Sequence, residues 1–77
     1  MINQLKGIIL TKNISYAVIM VGGVGYKVNM SINGLQTLPE VGKEVQILTY
    51  LHVREDILDL YGFMDSIERD TFHLLTS

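Results

Sequence analysis

The chain has 77 residues and a formal net charge of −2, from six Lys and Arg against eight Asp and Glu. That length allows one domain, which buries only roughly 60% of its unfolded surface, and a hydrophobic content of 48% is too high for a disordered segment. The absence of cysteine excludes disulfides and thiolate metal sites, and the acidic balance excludes a basic stripe that would grip nucleic acid by itself.

Residues 1–11 alternate apolar and polar side chains imperfectly and predict a strand, with Gly7 as a bulge or bend. Asn3, Gln4 and Lys6 interrupt the apolar residues, so this stretch reads as neither a signal peptide nor a membrane span. Lys12-Asn13 predicts a turn. The run YAVIMV at residues 16–21 is β-branched, apolar and too short for a helix, hence a buried strand. Gly22 and Gly23 break it as a hairpin turn would. Residues 26–30 resume as a strand, with Tyr26, Val28 and Met30 on one face and Lys27 and Asn29 on the other.

Ser31 can cap a short helical turn holding Ile32, Leu35 and Leu38, which Pro39 stops. After a polar turn over residues 40–43, Val45, Ile47, Thr49, Leu51 and Val53 recur at period two, a strand over 44–53. Arg54-Glu55-Asp56 is a short charged interruption, expected at a hairpin tip, and residues 57–63 form the fifth strand. Asp65-Ser66-Ile67-Glu68 has the form of a capping box. Ile67, Thr71, Leu74 and Leu75 follow at helical spacing, with Phe72 beside them. The apolar side of that helix has no obvious partner in the sequence. Residues 1–63 are therefore expected to form one domain and residues 64–77 to open a helical second domain that continues in the natural product.

Five strands with one helical excursion between the third and fourth predict an all-β fold, a small closed or partly open antiparallel barrel. Closure removes the edges that five strands would otherwise expose. An OB-fold and an SH3-like barrel both fit the pattern.

The motifs that could carry chemistry are sparse. Gly22-Gly23-Val24-Gly25 lacks the third glycine of a dinucleotide fingerprint, and a strand rather than a helix follows it, so these glycines are structural turn residues. No Walker A sequence occurs. His52 and His73 have no second ligand at metal spacing and no nucleophile partner, and no serine sits in a nucleophile elbow. An enzyme reading is without support, and neither metal nor cofactor is expected. Tyr16, Tyr26, Tyr50 and Tyr61, with Phe63, could form a stacking platform for single-stranded bases, but such platforms come with basic grooves; packing is the favoured reading. Glu55 and Asp56 lack a partner that would split their pKa values for acid–base work, or further oxygen donors for a metal, and stand as an exposed negative tip.

Three stretches in combination resemble the RuvA family: MINQLKGIIL at the start, VGGVGYKV at residues 21–28 and LHVREDILDLYGF at residues 51–63. The acidic-capped helix with Glu68, Arg69 and Phe72, and the turn Pro39-Glu40-Val41-Gly42, also fall where the family has them. The similarity spans essentially the whole chain. It implies an OB-fold first domain of a non-catalytic scaffold subunit, which assembles as a four-fold homotetramer and binds four-way junction DNA in an open square form. It further implies a cytoplasmic role in DNA recombination, DNA repair and the SOS response, with no membrane involved. The RuvB ATPase, which drives branch migration, and the RuvC resolvase would be partners of the full-length protein.

By the same resemblance, Glu55 and Asp56 correspond to the acidic pin at the centre of the DNA-facing surface, with Arg54 flanking it. A carboxylate and a phosphate about 7 Å apart repel by roughly 0.6 kcal/mol in water and about 2 kcal/mol at an effective dielectric near 20. Four subunits would sum that repulsion at the crossover and guide separated strands into new pairings. The family's attraction for DNA comes chiefly from helix-hairpin-helix motifs in the second domain, so these 77 residues by themselves are expected to bind DNA weakly.

Overall fold

A computed structural model describes residues 3–54 and 57–76, with Arg54 and Ile57 described in their backbone. The elements are β1 (Gln4–Lys12), β2 (Tyr16–Val21), β3 (Val24–Asn29), α1 (Ile32–Thr37), β4 (Glu44–Arg54), β5 (Ile57–Phe63) and α2 (Ser66–Thr76). The strands close into a barrel in the spatial order β1-β2-β3-β5-β4. All neighbours are antiparallel except β3 and β5, which run parallel over two residue pairs. With α1 inserted between the third and fourth strands, this is the arrangement expected of an OB-fold.

Period-two alternation decides what fills the barrel. Leu5 and Ile9 of β1, Ala17 and Ile19 of β2, Val28 of β3, Val45 and Ile47 of β4 and Leu60 of β5 form one buried cluster, joined by Met30 and by Leu35 and Leu38 from around α1. Ile9, Ile19, Val28 and Ile47 are wholly inaccessible, and each such side chain is worth about 1.5–3 kcal/mol relative to exposure. Ser31 caps α1 as expected, its Oγ accepting from the Gly34 N–H at 3.1 Å. Leu35 turns inward while Ile32 stays exposed.

The connections show where local chemistry sets register. Val21 pairs with Val24, so Gly22 and Gly23 alone make the hairpin turn, and their φ values of 55° and 87° meet the demand of a two-residue turn for left-handed backbone at both positions. The strand that follows begins at Val24, two residues earlier than the alternation suggested. The bulge in β1 is not at Gly7: the register shifts between Ile9 and Thr11. Gly7 answers a different need, since a Cβ there would run into the Met20 carbonyl of β2. β1 also runs on through Lys12, and Asn13 makes the turn, its Oδ1 accepting from the Ser15 and Tyr16 N–H groups at 2.9 Å each. Lys12 Nζ donates to the Pro39 carbonyl at 3.3 Å, tying β1 to the loop after α1. Among the described residues, no helix is long and apolar enough to cross a membrane.

Candidate functional site

The part of the barrel that departs from a plain closed sheet is the β4–β5 ribbon. β1 pairs with β4 only from Glu44 to Leu48, and β3 reaches β5 only at Leu60 and Tyr61. Beyond Leu51↔Leu60, the pairs His52↔Asp59, Val53↔Leu58 and Arg54↔Ile57 join the two strands to each other and, among the described residues, to no third strand. A two-stranded ribbon therefore runs three residue pairs past the barrel. Its inward-side residues show the loss of cover: Val53 is 60% exposed and Leu58 70%, whereas Thr49, at the same parity lower on β4, is 1% exposed.

The expected site residues fall as follows. Arg54 ends β4 and Ile57 opens β5, in register with each other. Glu55 and Asp56, the residues between them in sequence, lie outside the described residues, as does the side chain of Arg54. Gly22 and Gly23 form the β2–β3 turn. Gly25 lies within β3 opposite Met20, where a Cβ would be in ordinary contact with Val18 at 3.4 Å.

The outer face of the ribbon's base carries Leu48, Tyr50 and His52 from β4 and Asp59, Tyr61 and Phe63 from β5, cross-paired as Leu48↔Phe63, Tyr50↔Tyr61 and His52↔Asp59. α2 lies on this face. Asp65 starts it, accepting from the Glu68 N–H at 2.8 Å, which satisfies one of the helix's open donors. One turn on, Phe72 meets three rings at once: Tyr61 at 4.8 Å between centroids, Phe63 at 5.2 Å and Tyr50 at 5.9 Å. His73 stands edge-on to Tyr50 at 4.9 Å, and His52 lies beside both tyrosines at 6.3 and 6.4 Å. The opposite side of the helix is open, with Ile67 78%, Leu74 75% and Leu75 80% exposed.

One feature follows that sequence reasoning did not reach. His52 and His73, separated by 21 positions, pack on one tyrosine; the parity of 50 and 52 on one strand and 61 and 63 on its neighbour was the available signal. The four tyrosines, as the packing reading expected, do not share an open face. Tyr50 and Tyr61 are half-buried under α2, Tyr26 packs against the core, and the ring of Tyr16 lies under Lys27 Nζ at 4.7 Å from its centroid. The arrangement is one of packing, which leaves no row of rings for successive bases. No group of three or more His, Asp or Glu among the described residues could hold a metal ion.

Residues 1–62 match the model of the RuvA N terminal domain family. The chain is 46% identical over 77 residues to the Holliday junction branch migration complex subunit RuvA of Myxococcus xanthus, covering 100% of this chain and 38% of the relative. It is 44% identical over 75 residues to the protein of the same name from Chloroherpeton thalassium, with 97% and 38% covered. The corresponding values for that of Solibacter usitatus are 40% over 77 residues, with 100% and 39% covered. The chain thus spans about two fifths of the length of the curated relatives it matches.

Proposed function

The chain belongs to the RuvA family through its N-terminal domain, and on that premise we propose that it is a non-catalytic scaffold subunit of a Holliday-junction branch migration complex, acting in homologous recombination and DNA repair. The subunit assembles as a homotetramer on a four-way junction. RuvB supplies the ATP-driven motor, and RuvC resolves the same junction. Residues 1–63 are the barrel unit and residues 64–77 open a helical one; the family match that ends at residue 62 supports this division.

The observation that carries the reading is the ribbon. β4 and β5 pair with each other for three residue pairs beyond their last barrel neighbours, and the sequence joins them through two adjacent carboxylates, Glu55 and Asp56. In the proposed mechanism Glu55 and Asp56 form the pin and Arg54 flanks it. Each carboxylate repels a phosphate about 7 Å away by roughly 0.6 to 2 kcal/mol, depending on how much water intervenes. Summed over four subunits, this disfavours a continuous duplex across the centre while tolerating the open crossover, where strands diverge. Salt weakens the effect, with a Debye length of about 8 Å at physiological ionic strength. The net charge of −2 means that attraction for DNA comes from other parts of the subunit.

The test compares junction with linear duplex binding by the full-length subunit and by its Glu55→Gln, Asp56→Asn variant. The reading expects the variant to bind duplex more tightly and so to lose part of its junction preference. An unchanged ratio would count against it.

A further inference from the structure

Away from the ribbon's end, a groove of about 260 Å³ opens between β5, α2 and the segment leading into α1. Its walls are Tyr61, Phe63 and Phe72, with Met30 below and Asn29 and Glu68 at its polar edge. The volume is under the about 300 Å³ at which small-molecule sites begin, so it suits one long side chain better than a cofactor. Glu68 and Phe72 are four residues apart on α2 and lie on one helix face, which brings a carboxylate beside an aromatic ring.

That carboxylate is exposed, in the first turn of α2. The backbone N–H of Glu68 is used by Asp65, but its side chain makes no ion pair or hydrogen bond among the described residues. Three of the described cations are engaged elsewhere. Arg69 donates to the Asn3 carbonyl at 3.3 Å and meets Asp70 at 3.5 Å, Lys12 is held by the carbonyls of Leu38 and Pro39, and Lys27 lies over Tyr16. The Tyr61 hydroxyl likewise makes no hydrogen bond among the described residues. Asn29 Nδ2 donates to the Leu60 carbonyl at 3.1 Å.

We infer that this groove receives an arginine side chain presented by a partner protein segment. A guanidinium is the group that answers all three features together. Its flat face stacks on aromatic rings, its forked N–H donors pair with a carboxylate, and its alkyl stem covers apolar floor. A lysine would supply the charge but neither the stacking plane nor the fork. The contact lies on the outer side of the ribbon's base and is independent of the role given to Glu55 and Asp56, so it stands or falls without DNA.

The experiment is an amide-resolved NMR titration of the 77-residue chain with a capped Ala-Arg-Ala peptide, its lysine counterpart and its citrulline counterpart, which keeps the shape but not the charge. The arginine peptide is expected to shift the amides of Met30, Gly62, Phe63 and Phe72. Citrulline should weaken binding by about tenfold or more, since a charge-assisted pair is roughly twice as strong as a neutral one, and lysine should fall between. Glu68→Gln, which leaves the N-terminal hydrogen bond of α2 in place, should bring the arginine peptide down to the citrulline level. Phe72→Leu, which retains an apolar contact to β5, should reduce arginine binding while leaving the lysine peptide less affected. Equal binding of arginine and citrulline, an unaffected Glu68→Gln variant, or shifts confined to another surface would overturn the inference.

Discussion

Replacing Gly62 by alanine tests how β5 is held. The added Cβ would lie 2.5 Å from Val28 Cγ1, 2.9 Å from Ile47 Cγ2 and 3.1 Å from Met30 Cγ. Val28 and Ile47 are wholly buried in adjoining strands and have nowhere to retreat. Overpacking of this kind costs about 1–3 kcal/mol. The reduced freedom of the unfolded chain returns about 0.4–1 kcal/mol, for a net loss of about 1–2 kcal/mol. A domain of this size, at about 0.05–0.15 kcal/mol per residue, has little to spare, and each kcal/mol shifts Tm by about 4–8 °C. Thermal unfolding followed by circular dichroism should therefore show Tm lower by about 5–15 °C. Combining Gly62→Ala with Val28→Ala should cost less than the sum of the two single changes, because the second makes room for the first. A Gly62→Ala variant as stable as the parent, or strict additivity, would refute the claim that the side chains of Val28, Ile47 and Met30 packed over this position select glycine here.

Three further outcomes follow from the same structure. Ser31→Ala removes the hydroxyl that accepts from Gly34 and should destabilise the domain by about 1 kcal/mol, read from urea unfolding, with Ser31→Asp restoring most of the loss. Phe72→Ala deletes the three ring contacts that seat α2; since α2 has no buried residue, hydrogen-exchange protection over residues 66–76 should collapse while the barrel strands keep theirs. The 77-residue chain, with its net charge of −2, should bind four-way junctions no more tightly than about 1 μM at physiological salt, and a gel shift at lower concentration would contradict this.

Much of the architecture was legible because its causes are local. The alternation over residues 44–53 is the parity that fills the barrel with Val45, Ile47 and Thr49, and Ser31 and Asp65 cap the helices that their positions announce. The closed strand order was not legible, since it depends on β3 meeting β5 across 32 positions of sequence. Gly7 was misjudged for a related reason. A glycine in a strand signals either a bulge or a close approach, and only the position of Met20 tells which. For the site, β4 runs one residue further than the alternation over 44–53 suggested, to Arg54, and β5 opens at Ile57 as expected, while Glu55 and Asp56 lie outside the described residues. What the sequence concealed was that the ribbon outruns the barrel, and that Phe72 and Glu68 on α2 combine with Tyr61 and Phe63 on β5 into one groove. Those facts belong to packing between elements, which no single periodicity encodes.

The central proposal, that Glu55 and Asp56, which join β4 to β5 in the sequence, keep the crossover open, is tested most directly by the bases themselves. A junction bearing 2-aminopurine at its centre should brighten when the full-length subunit binds, as stacking there is lost, and brighten far less with Glu55→Gln, Asp56→Asn at saturating concentration. Equal brightening by both proteins would contradict the account.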